Sequence, residues 1–238
     1  MYKEIITATT IPDAWFQLIY NILDNGRVFT IDQGSYVGQK RLEFDWIDVE
    51  IIQPTSQPLL PIMPEGCNIP PPVADDYLDE YVPYLMTADK KPGEDYTYGE
   101  RLCAGLINVG GDEWIPTLNQ IENIINTYKK KGYRNNQLIL QIAQPGDLIL
   151  NDPPCLRHID TRIQDGKLHF FIYFRSWDLW GGFPANLAGI AILMKYMAAE
   201  IGVECGQFIC SSKGLHLYDY AVDLAAVRCM KDCNINLK

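Results

Sequence analysis

The sequence has no Cys-x-x-Cys pair, only three histidines and no surplus of positive charge. Each absence removes a class of function. Seven cysteines, an odd number without paired spacing, fit reduced thiols in a reducing compartment rather than a disulfide framework. Cys229 and Cys233 lie one helical turn apart, yet no histidine or second cysteine pair stands near them to complete a tetrahedral set, so no metal is expected. Lys and Arg total 20 against 30 Asp and Glu, a net charge of -10. A field of that sign repels a polyphosphate chain, so nucleic acid is not an expected partner. An anionic small substrate needs arginines clustered against that background.

Long apolar runs are also missing. The longest uncharged stretch, Leu179 to Met194, contains Gly181, Gly182, Pro184, Asn186 and Gly189 and falls short of the ~20 apolar residues a membrane span requires. It reads as a loop entering a buried helix. The opening MYKEIITATTIPDAW has neither a basic region followed by an apolar stretch nor a small-residue cleavage pattern, which makes a cytoplasmic location the expectation.

What is present suffices for one core. At 238 residues and 47% hydrophobic content, a single domain over residues 1–238 is expected. Helical spacing runs from Pro12 through Ala14, Trp15, Leu18, Ile19 and Ile22 to a stop at Gly26. Leu42 to Ile52 reads as one strand, and Pro54 to Pro72, with seven of the 15 prolines, as an extended arm. Asp75 to Met86 looks helical despite Pro83, and a second helix is expected from Pro116 to Lys131 before Gly132. Strands follow at Gln137 to Gln144, Leu156 to Ile163 and Lys167 to Phe174, the last two joined by the hairpin signal Asp165-Gly166. An apolar helix from Pro184 to Ile201, a strand at Phe208 to Cys210 and a helix from Tyr218 to Met230 complete the chain. Helices mixed with hairpin strands argue for α+β rather than alternating βαβ units.

Four polar patches interrupt the apolar second half: Pro153-Pro154-Cys155, Arg175-Ser176-Trp177-Asp178, Gly182 to Asn186, and His216-Leu217-Tyr218. Taken singly, each has an ordinary explanation: a packed cysteine, a surface ion pair, a helix cap, satisfied core residues. Together they suggest chemistry. A thiol is a nucleophile only as thiolate, and a guanidinium such as Arg175 stabilises that anion. Arg175 and Ser176 suit a phosphate, Asn186 presents a donor and an acceptor to a base edge, and His216 with Tyr218 suits a sugar hydroxyl.

These patches, in this order and spacing, resemble the thymidylate synthase family. The resemblance is densest in RSWDLWGGFPANLAGIAIL and GLHLYDYA, with DPPCLRHID and DGKL upstream, and extends back to Tyr98-Gly99 within DYTYGERL. Length and Trp177 are more similar to the short archaeal form. The resemblance implies a large mixed sheet flanked by helices, a homodimer formed across one sheet face, and methylation of dUMP with methylenetetrahydrofolate as one-carbon donor and reductant, without a metal. A modified archaeal pterin is an alternative donor. By matching positions, Cys155 is the nucleophile and Arg175 with Ser176 takes the phosphate. Asn186 reads the uracil edge, His216 and Tyr218 hold the deoxyribose hydroxyl, and Asp178 contacts the pterin. Tyr98 matches the tyrosine that helps remove the base proton through water, and Glu80 the family's catalytic glutamate.

Three departures stand out. Leu156 follows the nucleophile where the family has histidine, so His158 receives no catalytic role. The paired arginines that reach the partner's phosphate site become Arg134-Asn135-Asn136, leaving Arg134. Arg27 is the candidate phosphate-loop arginine, with Arg41 as fallback, and the tail CNINLK matches nothing. Two other readings stay open: a pyrimidine nucleotide hydroxymethylase of the same fold, and a catalytically silent nucleotide binder.

Overall fold

The computed structural model describes the chain except residues 33–35, 75, 111–112 and 233–238, and gives 106–110 and 113–117 as backbone alone. Cys233 of the Cys229/Cys233 pair and the whole tail CNINLK therefore lie outside the described residues.

Helix α1 (Ile11–Asn25) begins where Thr10 accepts a hydrogen bond from Asp13 N at 3.3 Å, while the Asp13 carboxylate accepts from Thr9 N at 2.7 Å. The Thr10 side chain satisfies one of the N–H groups that a helix start leaves open, and the Asp13 carboxylate ties down the residue before the cap. The helix ends as Gly26 turns to extended backbone while its N–H still donates to the Ile22 carbonyl, a position where a Cβ would stand 2.5 Å from that carbonyl oxygen. The face carrying Ala14, Trp15, Leu18, Ile19 and Ile22 is buried, each large side chain contributing about 1.5–3 kcal/mol.

Sequence spacing places a helix from Pro116 to Lys131, but residues Glu113–Leu118 form a strand, β6, paired among the described residues with β5 (Gly105–Gly110) alone. An isolated two-stranded ribbon tolerates a residue without an N–H. Helix α4 (Gln120–Lys131) starts after it, capped by Asn119, which accepts from Glu122 N at 3.0 Å.

The main sheet has six strands in the order β1 (Lys3–Ala8), β4 (Trp46–Ile51), β11 (Glu204–Ser212), β9 (Lys167–Phe174), β8 (Leu156–Gln164) and β7 (Ile139–Gln141). It is mixed: β1 runs parallel to β4 and β11 parallel to β9, while the remaining neighbours are antiparallel. The single strand expected over Leu42 to Ile52 divides, since Phe44 donates from its N–H to Leu215 O and turns β3 (Lys40–Glu43) into a second sheet. That sheet runs β10 (Trp177–Asp178), β12 (Leu215–Tyr218), β3, β2 (Arg27–Thr30). The strand expected to Gln144 stops at Gln141, and Pro145 opens a 3-10 turn over Pro145–Ile149.

Helix α5 (Gly182–Ile201) is buried along most of its length against β9 and β11, with α1 and α4 beside it. Sidedness follows from period-two alternation: Leu168, Phe170, Ile172 and Phe174 of β9 are buried, whereas Phe171 and Tyr173 on the other face are only half-buried. Helices α2 (Tyr77–Met86), α3 (Tyr98–Cys103) and α6 (Asp219–Arg228) complete the fold, and no regular element spans the proline-rich arm. Pro83 is tolerated inside α2 because it sits on the exposed side. Among the described residues no helix is long and apolar enough to cross a membrane, and no His/Cys/Asp/Glu cluster is suited to a metal.

Connectivity gathers chemistry at one end of the main sheet. Strands β8 and β9 are antiparallel neighbours joined by Asp165-Gly166, both with positive φ, so the residue before β8 and the residue after β9 meet. Strand β11 is parallel to β9 and β4 antiparallel to β11, which brings β12 and β3 to the same end.

Candidate active site

Cys155 immediately precedes β8 and Arg175 immediately follows β9, and the Arg175 N–H donates to the Cys155 carbonyl at 2.9 Å. The Arg175 Nε donates to the carbonyls of Pro153 and Pro154, both at 3.2 Å, and Nη2 reaches Asp152 at 3.1 Å. The Pro-Pro turn thus holds the guanidinium beside the thiol. One step further, Leu156 pairs with Phe174 but His158 with Tyr173, so Arg157 is an extra, bulged residue. Bulges re-aim side chains. Arg157 donates to Pro154 O at 3.1 Å and pairs at 3.4 Å with Asp147, a carboxylate 1% exposed that also takes Arg101 at 2.9 Å.

The thiol feels opposing influences. Burial pushes the Cys155 thiol above the ordinary cysteine range and Asp152 adds to this, while Arg175, Arg157 and Arg41 pull it back. Tyr98, buried on α3, accepts from Leu156 N at 3.3 Å through its hydroxyl, which burial raises well above the usual phenol range.

The smaller sheet supplies a second group. Tyr218 stands opposite Arg41 in the β12–β3 ladder. His216 is 2% exposed, and its Nδ1 lies 2.9 Å from Gly214 O. A carbonyl only accepts, so Nδ1 carries the proton and Nε2 offers a lone pair that finds no partner among the described residues. Burial, with Arg41 nearby, pushes the imidazole pKa down to about 4. The Tyr218 ring meets His216 edge-on at 4.6 Å, and its phenol is pushed up to about 12 by burial and by the Asp178 carboxylate. Arg41 pairs with Glu43, and its buried Nε has no partner among the described residues. Arg27 does not join this group: it is exposed on β2 and pairs with Asp45.

The start of α5 supplies a third group. Asp178 accepts from the N–H groups of Trp180, Gly181 and Gly182 at 3.2, 3.0 and 2.9 Å, at the end where a helix favours negative charge. Burial still raises its pKa, against the pull of those three donors. Asn186, in the first turns of the helix, accepts from Trp177 Nε1 at 3.1 Å and donates to the Tyr81 hydroxyl at 2.8 Å. A cleft of 550 Å³ opens from here, walled by Tyr77, Tyr81, Tyr84 and Tyr98, with the exposed Glu80 and the lysines Lys90 and Lys91 also lining it. Ser176 is half-buried between Arg175 and β10. Arg134 lies apart, in a depression lined by Tyr133, Asn135, Asn136 and Arg162.

Sequence reasoning did not single out Tyr81 or Arg157. Tyr77, Tyr81 and Tyr84 repeat at one-face helical spacing, a signal that was available; the bulge at Arg157 left none.

Residues 89–235 match the family described as Thymidylate synthase. A Methanosarcina acetivorans protein named "Putative thymidylate synthase" is 31% identical over 221 residues, 93% of this chain and 92% of its own. A Methanosarcina mazei protein of the same name is 32% identical over 223 residues, with the same shares of 93% and 92%. A Listeria monocytogenes "Thymidylate synthase" is 31% identical over 134 residues, 53% of this chain and 41% of its own.

Proposed function

The chain belongs to the thymidylate synthase family, whose members methylate dUMP with methylenetetrahydrofolate, and we propose that it does so through Cys155 as covalent nucleophile. One observation carries the assignment of the nucleophile: in a protein of net charge -10, Arg175 is held at the Cys155 turn, its N–H on the Cys155 carbonyl at 2.9 Å, and with Arg157 and Arg41 it opposes the burial that raises the thiol. Such a cluster favours both a thiolate and a phosphate monoester.

The Cys155 sulfur adds to carbon 6 of the uracil, which makes carbon 5 the nucleophile. Arg175 and Ser176 take the phosphate, and we assign Arg41 rather than Arg27 as the second arginine there, because its buried Nε has no acceptor among the described residues. The unpartnered Nε2 of His216 accepts from the deoxyribose hydroxyl, with Tyr218 beside it. Asn186 pairs with N3–H and O4 of the base. Tyr98, too weak an acid to serve as phenolate, holds the water that takes the carbon 5 proton, and Glu80 manages the neighbouring water from the cleft rim.

The cleft fits a flat pterin. Its tyrosine walls suit an aromatic ring system, and Asp178, pinned by three N–H groups at the start of α5 and outside the cleft lining, takes the pterin contact by its match to the family's aspartate. When bound, the folate supplies both the carbon unit and the hydride; a modified archaeal pterin is the variant donor. No step of this chemistry needs a metal. Residues 1–238 are read as one catalytic domain, since a single apolar cluster extends from Ile6 to Cys229. The half-buried aromatic face of the main sheet is read as the homodimer interface, with Arg134 serving the partner's phosphate site.

The test is a product assay with dUMP and methylenetetrahydrofolate that follows dTMP and dihydrofolate together. Both products are expected from the native chain and neither from Cys155→Ser. Hydroxymethyl-dUMP with tetrahydrofolate would replace methylation by hydroxymethylation, and binding of dUMP with no product from either pterin would leave a silent binder.

A further inference from the structure

An asparagine by itself does not distinguish uracil from cytosine. Uracil presents N3–H as donor beside O4 as acceptor, cytosine presents N3 as acceptor beside the N4 amino group as donor, and an amide that turns over by half a rotation matches either. Discrimination requires that the amide be held one way round.

Here it is held. Trp177 Nε1–H is a donor only, so the Asn186 atom 3.1 Å from it must be the oxygen. The indole cannot move aside: Trp177 is 2% exposed, stacks on Phe174 at 4.0 Å between centroids with 8° between planes, and packs on Phe183 at 4.5 Å. On the other side Asn186 Nδ2 donates to the Tyr81 hydroxyl at 2.8 Å, and Tyr81 is itself fixed between Tyr77 and Tyr84 at 5.5 and 6.0 Å. These bonds use one lone pair of Oδ1 and one proton of Nδ2. The remaining lone pair and proton are left for a ligand in the cleft that Asn186 lines.

We propose that Trp177 and Tyr81 are positioning residues that lock the Asn186 amide in the orientation that reads uracil and rejects cytosine. The proposal rests on the reading of this site as a pyrimidine nucleotide site. The two clamps are unequal. A reversed amide would set its NH2 group against the indole N–H, donor against donor, whereas the Tyr81 hydroxyl can donate as readily as it accepts. Trp177 therefore sets the base preference, and Tyr81 sets the position of the amide.

Binding of dUMP and dCMP to the native chain, Trp177→Phe and Tyr81→Phe, measured by calorimetry without folate, tests this. The native chain should prefer dUMP. Trp177→Phe should narrow that preference by about tenfold, mainly through tighter dCMP binding, because the donor that opposes the reversed amide is gone. Tyr81→Phe should weaken dUMP while keeping its ratio to dCMP within about threefold. General damage to the site lowers both affinities together and leaves the ratio unmoved. If Trp177→Phe does not fold, Trp177→Met, whose flexible side chain fills the space without an N–H, takes its place. A native chain that prefers dUMP and a Trp177 variant that keeps the native ratio would overturn the clamp alone. A native chain that binds neither nucleotide would overturn the pyrimidine reading and the clamp with it.

Discussion

His216 joins the proposed contact with the deoxyribose hydroxyl to acid sensitivity. Its imidazole is buried neutral, with a pKa pushed from 6.5 to about 4. As pH falls through about 6.5 the unfolded chain takes up a proton that the folded chain refuses, so unfolding binds more protons and stability falls with pH. The loss runs between about pH 6.5 and 4 and amounts to about 3 kcal/mol, since a unit of pKa is worth ~1.4 kcal/mol; below the folded pKa it levels off. Urea unfolding at pH 7 and pH 4.5 should show His216→Asn losing less stability on acidification than the native chain. The same substitution should raise KM for dUMP if the proposed site uses Nε2, unpartnered among the described residues, as its acceptor. Cys155 meets the same desolvation with the opposite direction of shift: burial disfavours its charged form and raises the thiol, and the surrounding guanidiniums offset only part of that rise.

Helix α5 shows how an element carries a site beyond its own functional residue. Gly189 lies one turn beyond Asn186, and a Cβ there would stand 2.5 Å from two carbons of the Tyr81 ring. Gly189→Ala gains up to about 1 kcal/mol in helix propensity but forces a buried ring outward, and overpacking of this kind costs about 1–3 kcal/mol. Overpacking should win. Thermal unfolding should move down, and dUMP affinity should fall as Tyr81 leaves Asn186. Much of this element was legible in sequence: its apolar composition announced a buried helix, Asn186 stood out as the polar residue near its start, and the Asp165-Gly166 hairpin fixed which strand ends meet. Other features were not. Strand β1 and strand β12 are short and take their pairing from partners far along the chain. The break at Phe44 that sends β3 into the smaller sheet depends on a carbonyl at Leu215. For the same reason Arg27 and Arg41 look alike in sequence, and only the β12–β3 ladder sets Arg41 opposite Tyr218. Long-range pairing, rather than local propensity, decides such positions.

At the scale of the whole molecule, the six-stranded sheet is covered unequally. Its inner face packs on α5, while the outer face shows Trp46 stacked on Tyr173 at 6.1 Å, His158 on Tyr173 at 5.8 Å and Arg162 over Phe171 at 5.9 Å. A connected aromatic patch on a strand face is the composition of an interface centre, and a two-fold dimer would bury the same patch from both subunits. In the proposed dimer, Tyr173→Glu places a charge in the interface centre and should shift the chain from dimer to monomer in sedimentation analysis. Arg134 then gains its meaning. It lies apart from Cys155 in its own chain, in a depression that includes Arg162 of the same sheet. If Arg134 serves the partner's phosphate site, Arg134→Ala should raise KM for dUMP while the dimer persists. Mixing this variant with inactive Cys155→Ser provides the decisive comparison. In a mixed dimer one site combines both defects, while the other keeps Cys155 from one subunit and Arg134 from its partner. Random assortment should restore about a quarter of native activity. No recovery beyond the Arg134→Ala subunits alone would place Arg134 with its own chain's site or with none.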